Sequence, residues 1–230
     1  MRKFIAAAAA TLVMACASAG FAAPIVMDGS TTVLPFAQAA AEQYMKANKT
    51  VKFSVSGTGT GNGFKSLADG SAQIANASRF IKDKEIDTCM SKKVYPVPFA
   101  VALDCIIPVV HPSNQVKSLT KAQLKDIFTG KVTDWKEVGG TSGAIVVIGR
   151  DTSSGTYGTW QEMIMDKGEK GRVTPKAQVT ASSGAMMTAV ANNKNAIGYE
   201  GMGYVTKAVK GVQVEGISGT ASTARSGKYP

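Results

Sequence analysis

Short apolar runs alternate with amphipathic stretches along most of this chain. Apolar runs rich in β-branched residues and bounded by turn signals predict strands at residues 24–27, 51–56, 73–76, 144–148, 173–179, 196–199 and 212–217. Apolar spacing of three to four predicts helices at residues 35–46, 64–68, 82–90, 157–164 and 185–193. A capping box at Thr120 and a glycine at Gly130 predict one more helix between them. This alternation predicts an α/β fold with largely parallel strands.

One apolar stretch is longer than the others. It covers residues 94–110 and is interrupted at Asp104 and Cys105. We interpret it as a strand that leaves one lobe of the protein and enters the next. The sequence contains no internal repeat, and it contains no low-complexity linker between the two lobes.

The first residues have the pattern of a secretory signal. Arg2 and Lys3 precede an apolar segment at 4–13 and a stretch of small residues at 17–23, which is too short to span a bilayer. We predict a signal peptide over residues 1–22, with cleavage after residue 19 as the alternative. The sequence before Cys16 also resembles a lipoprotein box, so a lipid anchor at Cys16 is the second alternative to a free secreted chain.

The net charge narrows the classes of ligand that the protein could bind. The formal net charge is +10, and a basic secreted chain could meet nucleic acid, an acidic surface or a small anion. The lysines are scattered without interleaved aromatic residues, which argues against nucleic acid.

In an oxidising compartment Cys89 and Cys105 are predicted to pair as a disulfide, with two buried free thiols as the alternative. A metal site is not predicted, because His111 is the only histidine and no Cys-x-x-Cys occurs.

Four turns share one chemistry, hydroxyl side chains and unhindered main-chain N–H groups directly after a predicted strand. They are residues 30–32, 58–61, 77–79 and 153–156. Three of the four open a helix directly, where N–H groups and the positive end of the helix dipole favour anions. Arg150, just before the last turn, would add a charged and bidentate donor. If the turns meet in one cleft, they predict a site for a small oxyanion held mostly by neutral dipoles.

Simpler interpretations of the four turns and Arg150 remain as alternatives. Each turn alone is also typical of a capped helix start beside an exposed arginine. Asp151 would then cap a helix or orient Arg150. Enzyme patterns fit poorly: the glycine-rich residues 57–63 match neither a dinucleotide fingerprint nor a P-loop, and Ser154 lacks the upstream glycine of a nucleophile elbow. A hydrolase would need the lone His111 in a triad, or Asp104 paired with Asp151, and no spacing requires either.

Six segments, in chain order, resemble the periplasmic phosphate-binding proteins of ABC transporters. They read MDGSTTVLPFAQAAAEQY, VSGTGTGNGFKSLADGSAQIANASRFI, VPFAVALDCIIPVV, LTKAQLKDIFTGKVTDWKEVGG, VIGRDTSSGTYGTWQEMI and NAIGYEGMGYV. The resemblance implies a two-lobed α/β fold of the type II periplasmic-binding class, with phosphate held between the lobes. It assigns residues 23–104 and 205–230 to lobe 1 and residues 105–204 to lobe 2. It further implies a non-enzymatic periplasmic receptor, a monomer if the chain is complete, that needs no cofactor and delivers inorganic phosphate to a membrane permease.

The same resemblance places individual residues at the anion. The expected phosphate-binding residues are Ser30, Thr31, Thr32, Thr60, Ser78, Arg150, Ser154, Gly155 and Thr156. Residues expected to support them are Val33, Arg79 and Asp151.

Two departures from the family pattern qualify this expectation. Several members carry an aspartate where this chain has Ser78, and that carboxylate would repel sulfate, so another oxyanion such as sulfate is the first alternative ligand. Similar proteins also continue past residue 230 with a further strand and helices, so lobe 1 is expected to be incomplete, or to be completed by another chain. A secreted phosphate-ester hydrolase is the alternative from a different functional class.

Overall fold

The computed structural model describes residues 23–165 and 171–230. The predicted signal peptide, with Cys16, lies outside the described residues. The strands form two main sheets, one in each of two lobes, and together with the helices they confirm the predicted α/β class.

The first lobe is built around a parallel three-stranded sheet in the order β2-β1-β3. Its strands are β1 (Ile25–Gly29), β2 (Phe53–Val55) and β3 (Ile74–Asn76). Its helices are α1 (Leu34–Ala47), α2 (Thr60–Ala68) and α3 (Asp83–Ser91). Helix α2 begins four residues before its predicted start, which puts Thr60 in its first turn, directly after the glycine-rich loop.

The second lobe is built around a mixed five-stranded sheet in the order β7-β6-β8-β4-β9. Its strands are β4 (Ile106–Val110), β6 (Val146–Arg150), β7 (Gln178–Thr180), β8 (Ala196–Gly201) and β9 (Lys210–Gly211). Strand β6 runs parallel to β7 and β8, whereas β4 is antiparallel to β8 and β9. Beside it, β5 (Ser118–Leu119) and β10 (Gln213–Val214) form a parallel pair.

Four helices accompany the second sheet. They are α4 (Lys121–Thr129), α5 (Gly155–Trp160), α6 (Ser183–Ala191) and α7 (Ala221–Arg225). Helix α5 continues as one turn of π-helix, Gln161–Met165, and short 3₁₀ turns lie at Trp135–Val138 and Met202–Tyr204. The capping box at Thr120 and the left-handed Gly130 that closes α4 confirm the prediction for that helix.

An aromatic cluster fixes the part of the second lobe that carries the cleft. The rings of Trp160 and Tyr199 stack with centroids 4.4 Å apart, and Phe128 packs against both at 5.0 and 5.5 Å. All three side chains are almost fully buried. Because Trp160 ends α5 and Tyr199 lies on β8, this packing holds α5 and the end of β8 in a fixed relation.

The predicted long strand at 94–110 is wrong in its first part. Residues 94–105 have no regular secondary structure, and β4 begins only at Ile106. Pro96 and Pro98 have no N–H group to donate to a neighbouring strand, which disfavours a ladder there. Alternate side chains of this segment are large, apolar and between 64% and 81% exposed: Tyr95, Val97, Phe99, Val101 and Leu103.

The assignment of residues 205–230 to the first lobe is corrected by the strand pairing. Strand β9 pairs with β4, and β10 pairs with β5, both in the second lobe. Near the end of the chain, the Tyr229 hydroxyl donates to the Ile106 carbonyl at 2.9 Å, and its ring packs against the second-lobe core. Hydrogen bonding and apolar contact therefore hold this segment on the second lobe.

The predicted disulfide between Cys89 and Cys105 is also wrong in this structure. Both thiols are free and buried. Cys89 lies on α3 in the first lobe, whereas Cys105 precedes β4 in the second and its sulfur faces Gly219. Burial raises the pKa of both thiols, that of Cys105 to about 11, so both stay protonated at neutral pH.

Candidate functional site

The predicted turns of both lobes meet at the carboxyl ends of the parallel strands. The first three turns follow β1, β2 and β3, and the fourth follows β6. Ligands of open α/β sheets bind at this edge, because loops and helix N-termini converge there. The convergence expected from the sequence is therefore present, and it places first-lobe and second-lobe residues in direct contact.

Hydroxyl groups from different turns form one hydrogen-bonded cluster. Ser30 Oγ donates to Ser78 Oγ at 2.9 Å, and Thr60 Oγ1 lies 3.3 Å from the same Ser78 oxygen. Across the lobes, the hydroxyls of Thr32 and Thr156 are 2.6 Å apart. Because each hydroxyl can donate or accept, the cluster can turn its hydrogens toward a ligand that accepts hydrogen bonds.

Gly155 lets the second lobe approach this cluster closely. A Cβ atom at that position would lie 2.3 Å from both Ser78 Oγ and Thr60 Oγ1, which is far inside contact distance. Next to it, Ser154 Oγ accepts from the N–H of Tyr157 and caps α5. Gly155 thus supplies close approach, while the Ser154 hydroxyl is used as a helix cap.

Arg150 lies at the end of β6, with only 3% of its surface exposed. Its Nη2 donates to Thr31 Oγ1 in the first lobe at 2.9 Å, and its Nη1 donates to Ser183 Oγ at 3.1 Å. Its Nε is buried without a hydrogen-bond partner among the described residues. The guanidinium is therefore turned into the cleft and joins the lobes, so the alternative of an exposed arginine is excluded.

Two cleft residues were missed from the sequence. Glu200, fully buried at the end of β8, places Oε1 2.6 Å from Arg150 Nη1. Ser183 opens α6, and its main-chain N–H donates to Thr31 Oγ1 at 3.3 Å. The helix predicted at 185–193 was a usable signal for Ser183, which lies two residues before that predicted start. Nothing local marks Glu200, because its partner lies 50 positions away.

Burial determines the electrostatics of the Arg150–Glu200 pair. Loss of water raises the pKa of Glu200, and the neighbouring guanidinium and the Ser183 hydroxyl act in the opposite direction. With Nη1 and Oε1 at 2.6 Å, the carboxylate offsets the charge of Arg150. An anion here would be held by many oriented dipoles and a guanidinium already balanced by a carboxylate.

The buried carboxylate of Asp28, on β1, stabilises the first-lobe side of the cleft through hydrogen bonds. Its carboxylate accepts hydrogen bonds of 2.7 to 2.9 Å from the hydroxyls of Ser56, Thr58 and Ser66. Burial opposes its ionisation, but these donors outweigh burial and lower the pKa of Asp28 below its ordinary value. This network fixes the turn that leads to Thr60, although no sequence motif marked it.

The three supporting residues expected from the resemblance have local partners. The Arg79 guanidinium pairs with Glu85 at 2.7 Å and lies over the Phe64 ring. Asp151 accepts from the N–H of Ser153 at 2.9 Å, and the N–H of Val33 donates to Ser30 Oγ at 3.4 Å. Each of these contacts stabilises the local chain around the residue that makes it, and none of them involves Arg150.

Two residues named for the hydrolase alternative, His111 and Asp104, have local hydrogen-bond partners. His111 Nδ1 lies 2.7 Å from the hydroxyl of Ser113 in a turn after β4. Asp104 accepts from the N–H groups of Cys105 and Met202, at 2.8 and 3.1 Å. Within residues 23–165 and 171–230, no group of three or more His, Cys, Asp or Glu side chains could hold a metal ion, and no helix has the length and apolarity to cross a membrane.

Comparison with known proteins gives one consistent family. A family model described as a PBP superfamily domain matches residues 10–230. Protein SphX of Synechococcus elongatus is 35% identical over 87% of this chain, and the phosphate-binding protein PstS of Bacillus subtilis is 33% identical over 90%. The chain spans 60% and 66% of the lengths of these two relatives.

Solved structures agree with these sequence matches. A Clostridium perfringens protein assigned as a phosphate ABC transporter substrate-binding protein, with phosphate bound, superposes with a TM-score of 0.82 at 35% identity, over 90% of this chain and 82% of that one. An ABC-type phosphate transport receptor from Vibrio cholerae gives a TM-score of 0.68 at 32% identity, over 89% and 82%.

Proposed function

The chain belongs to the PBP superfamily, and from this premise we propose that it is a secreted, non-enzymatic receptor for inorganic phosphate. It would bind phosphate between its lobes in the periplasm and deliver it, as a monomer, to the permease of an ABC transporter. The phosphate-binding proteins to which it is similar support this ligand.

One observation carries the proposal: hydroxyls of both lobes surround a buried guanidinium. Thr31 and Thr32 from the first lobe contact Arg150 and Thr156 from the second. A tetrahedral oxyanion accepts several hydrogen bonds at once, and each charge-assisted one contributes about 1.5–3 kcal/mol. This arrangement fits such an anion better than any apolar or cationic ligand.

Binding would proceed by closure of the lobes. In the structure the hydroxyls of the two lobes are already within hydrogen-bond distance, 2.6 Å between Thr32 and Thr156. Phosphate would enter when the lobes separate and would exchange these mutual contacts for its own. Closure around the anion would shield it from water and strengthen each contact.

Calorimetric titration tests the proposal directly. Purified protein, shown to be folded by circular dichroism, is titrated with phosphate and separately with sulfate at neutral pH. We expect saturable binding of phosphate with one site per chain. Folded protein that binds no phosphate would refute the proposal. Turnover of a chromogenic phosphate ester that survives repurification would favour the hydrolase instead.

A further inference from the structure

The side chain of Arg79 lies at a contact between the two lobes. It follows β3 in the first lobe, and the side chain is only 6% exposed. A Cβ atom added at Gly158, on α5 of the second lobe, would lie 3.0 Å from Arg79 Cδ and 3.4 Å from its Nε. Because position 158 carries no side chain, α5 packs directly against the stem of Arg79.

First-lobe groups hold the Arg79 side chain in this position. Its two terminal nitrogens donate to the two carboxylate oxygens of Glu85 at 2.8 and 2.7 Å, and Nη1 also donates to the Phe80 carbonyl at 2.9 Å. The guanidinium carbon lies 5.3 Å from the centre of the Phe64 ring. Bidentate pairing and contact with an aromatic face fix both the plane and the position of a guanidinium. Arg79 therefore presents a fixed surface to α5.

Two hydrogen bonds join the lobes beside this contact. The N–H of Gly61, in the first turn of α2, donates to the Ser153 carbonyl at 2.9 Å. The hydroxyl of Thr159, on α5, donates to the Ser78 carbonyl at 3.4 Å. The expected phosphate-binding residues 154–156 lie between these two second-lobe positions. The distance at which α5 meets the first lobe therefore also determines where residues 154–156 lie.

Resting on the proposed function, we propose that Arg79 is a positioning residue for phosphate binding. Its side chain, held by Glu85 and Phe64, is the first-lobe surface against which α5 packs when the lobes close. It acts through residues 154–156 and does not contact the anion. Because Glu85 neutralises its charge, the contact depends on shape. Loss of the side chain leaves a gap under α5, and a larger residue at position 158 keeps the lobes apart.

The experiment is a double-mutant cycle between Arg79 and Gly158, with phosphate affinity measured by calorimetry at pH 7. The variants are Arg79→Ala, Gly158→Ala and the two combined. Gly184→Ala, on α6 with nothing within 4 Å of an added Cβ, is the matched control for one extra methyl group in a helix. Arg79→Met keeps an unbranched stem and removes the guanidinium. Circular dichroism verifies folding of each variant.

We expect Gly158→Ala to weaken phosphate binding by about fivefold or more, since its methyl group overpacks against a fixed side chain. In the Arg79→Ala background the same substitution should cost no more than about twofold, because the stem that it meets is gone. Gly184→Ala should leave the affinity unchanged in both backgrounds. A role for Arg79 confined to its own turn would give Gly158→Ala the same effect in both.

The single substitutions of Arg79 separate shape from charge. Arg79→Ala should weaken phosphate binding by about threefold or more through lost packing. Arg79→Met should bind phosphate more tightly than Arg79→Ala, because its stem still supports α5.

Three results would overturn the inference while the phosphate receptor stands. The first is an equal effect of Gly158→Ala in the two backgrounds. The second is an Arg79→Met variant as weak as Arg79→Ala, which would mean that the guanidinium itself contacts the anion. The third is equal affinity of Gly158→Ala and Gly184→Ala, and this comparison decides the question if the Arg79 variants do not fold. Folded wild-type protein that binds no phosphate refutes the receptor itself.

Discussion

The side chain of Arg150 combines two tasks that are usually separate. It is almost completely buried, and it bonds to Thr31 of the first lobe and to Ser183 and Glu200 of the second. It is therefore both the charged donor of the proposed site and a structural link between the lobes.

Replacing Arg150 should affect binding and stability together. Arg150→Ala is expected to weaken phosphate binding by about 10- to 100-fold, since a charge-assisted donor is lost. It should also lower the free energy of unfolding by about 3–5 kcal/mol, because Glu200 becomes an unpaired buried charge. Calorimetry and urea unfolding measure the two effects. Arg225→Ala, exposed on α7, is the control, and unchanged affinity in Arg150→Ala would exclude Arg150 from the site.

Asp28 should give the protein an acid-sensitive step in stability. Its folded-state pKa is lowered from 3.8, so its ionised form stabilises the fold at pH values above that value. This contribution is lost as the pH falls through the lowered pKa. Asp28→Asn should cost about 1–3 kcal/mol at pH 7 and progressively less below pH 4. Urea unfolding between pH 7 and pH 2 measures the difference. The exposed Asp87→Asn is the control, and a cost independent of pH would contradict the prediction.

At the level of elements, the cleft is built from strand ends and the helix starts that follow them. Helix α2 begins at Thr60, α5 at Gly155 and α6 at Ser183, and all three first-turn residues are buried in the cleft. Small or hydroxyl residues at these positions allow the helices to approach each other end to end.

The two glycines at the starts of α5 and α6 provide a matched test. A Cβ at Gly155 would meet two hydroxyls at 2.3 Å, whereas a Cβ at Gly184 would meet nothing within 4 Å. Gly155→Ala should weaken phosphate binding by about tenfold or more, because the lobes cannot approach fully. Gly184→Ala should keep the affinity and raise stability by about 0.5–1 kcal/mol through its better helix propensity. Equal phosphate affinities for the two variants would contradict this account of closure.

For the whole molecule, apolar surface is distributed unevenly. The second lobe buries a large core with the Phe128–Trp160–Tyr199 cluster. Residues 95–103, between the lobes, instead present alternating large apolar side chains to solvent, Phe99 at 81% exposure. Exposed apolar patches of this kind promote self-association.

Substitutions in these two regions should therefore differ in their effects on the free energy of unfolding and on self-association. Phe99→Ser should change the free energy of unfolding by no more than about 0.5 kcal/mol and should reduce self-association at high concentration. Phe128→Ala should cost about 3–5 kcal/mol because it leaves a cavity in the core. Urea unfolding and size-exclusion chromatography at several concentrations measure these effects. A loss in Phe99→Ser as large as in Phe128→Ala would show that the segment is buried in solution.

Local chemistry was sufficient to predict most of the helices and strands and the four turns, but not the irregular residues 94–105 or the short elements β5, β9 and α7. Strand periodicity, the capping box at Thr120 and the left-handed Gly130 are short-range signals, and the structure bears them out. The cleft hydroxyls and Arg150 were found because turn residues after buried strands are set by neighbours in sequence. The parallel pairing then brings those turns together, since parallel strands end at one edge.

Tertiary structure alone decided which distant groups meet. Thr31 and Ser183 are 152 positions apart, and Glu200 is 50 positions from Arg150, so no local pattern could pair them. The same reason explains the unpaired Cys89 and Cys105 and the place of β9 beside β4. Periodicity in the sequence shows which face of a helix or strand is apolar. Burial, ion pairing and lobe membership depend instead on which elements pack together. That packing is determined by the free energy of the whole fold.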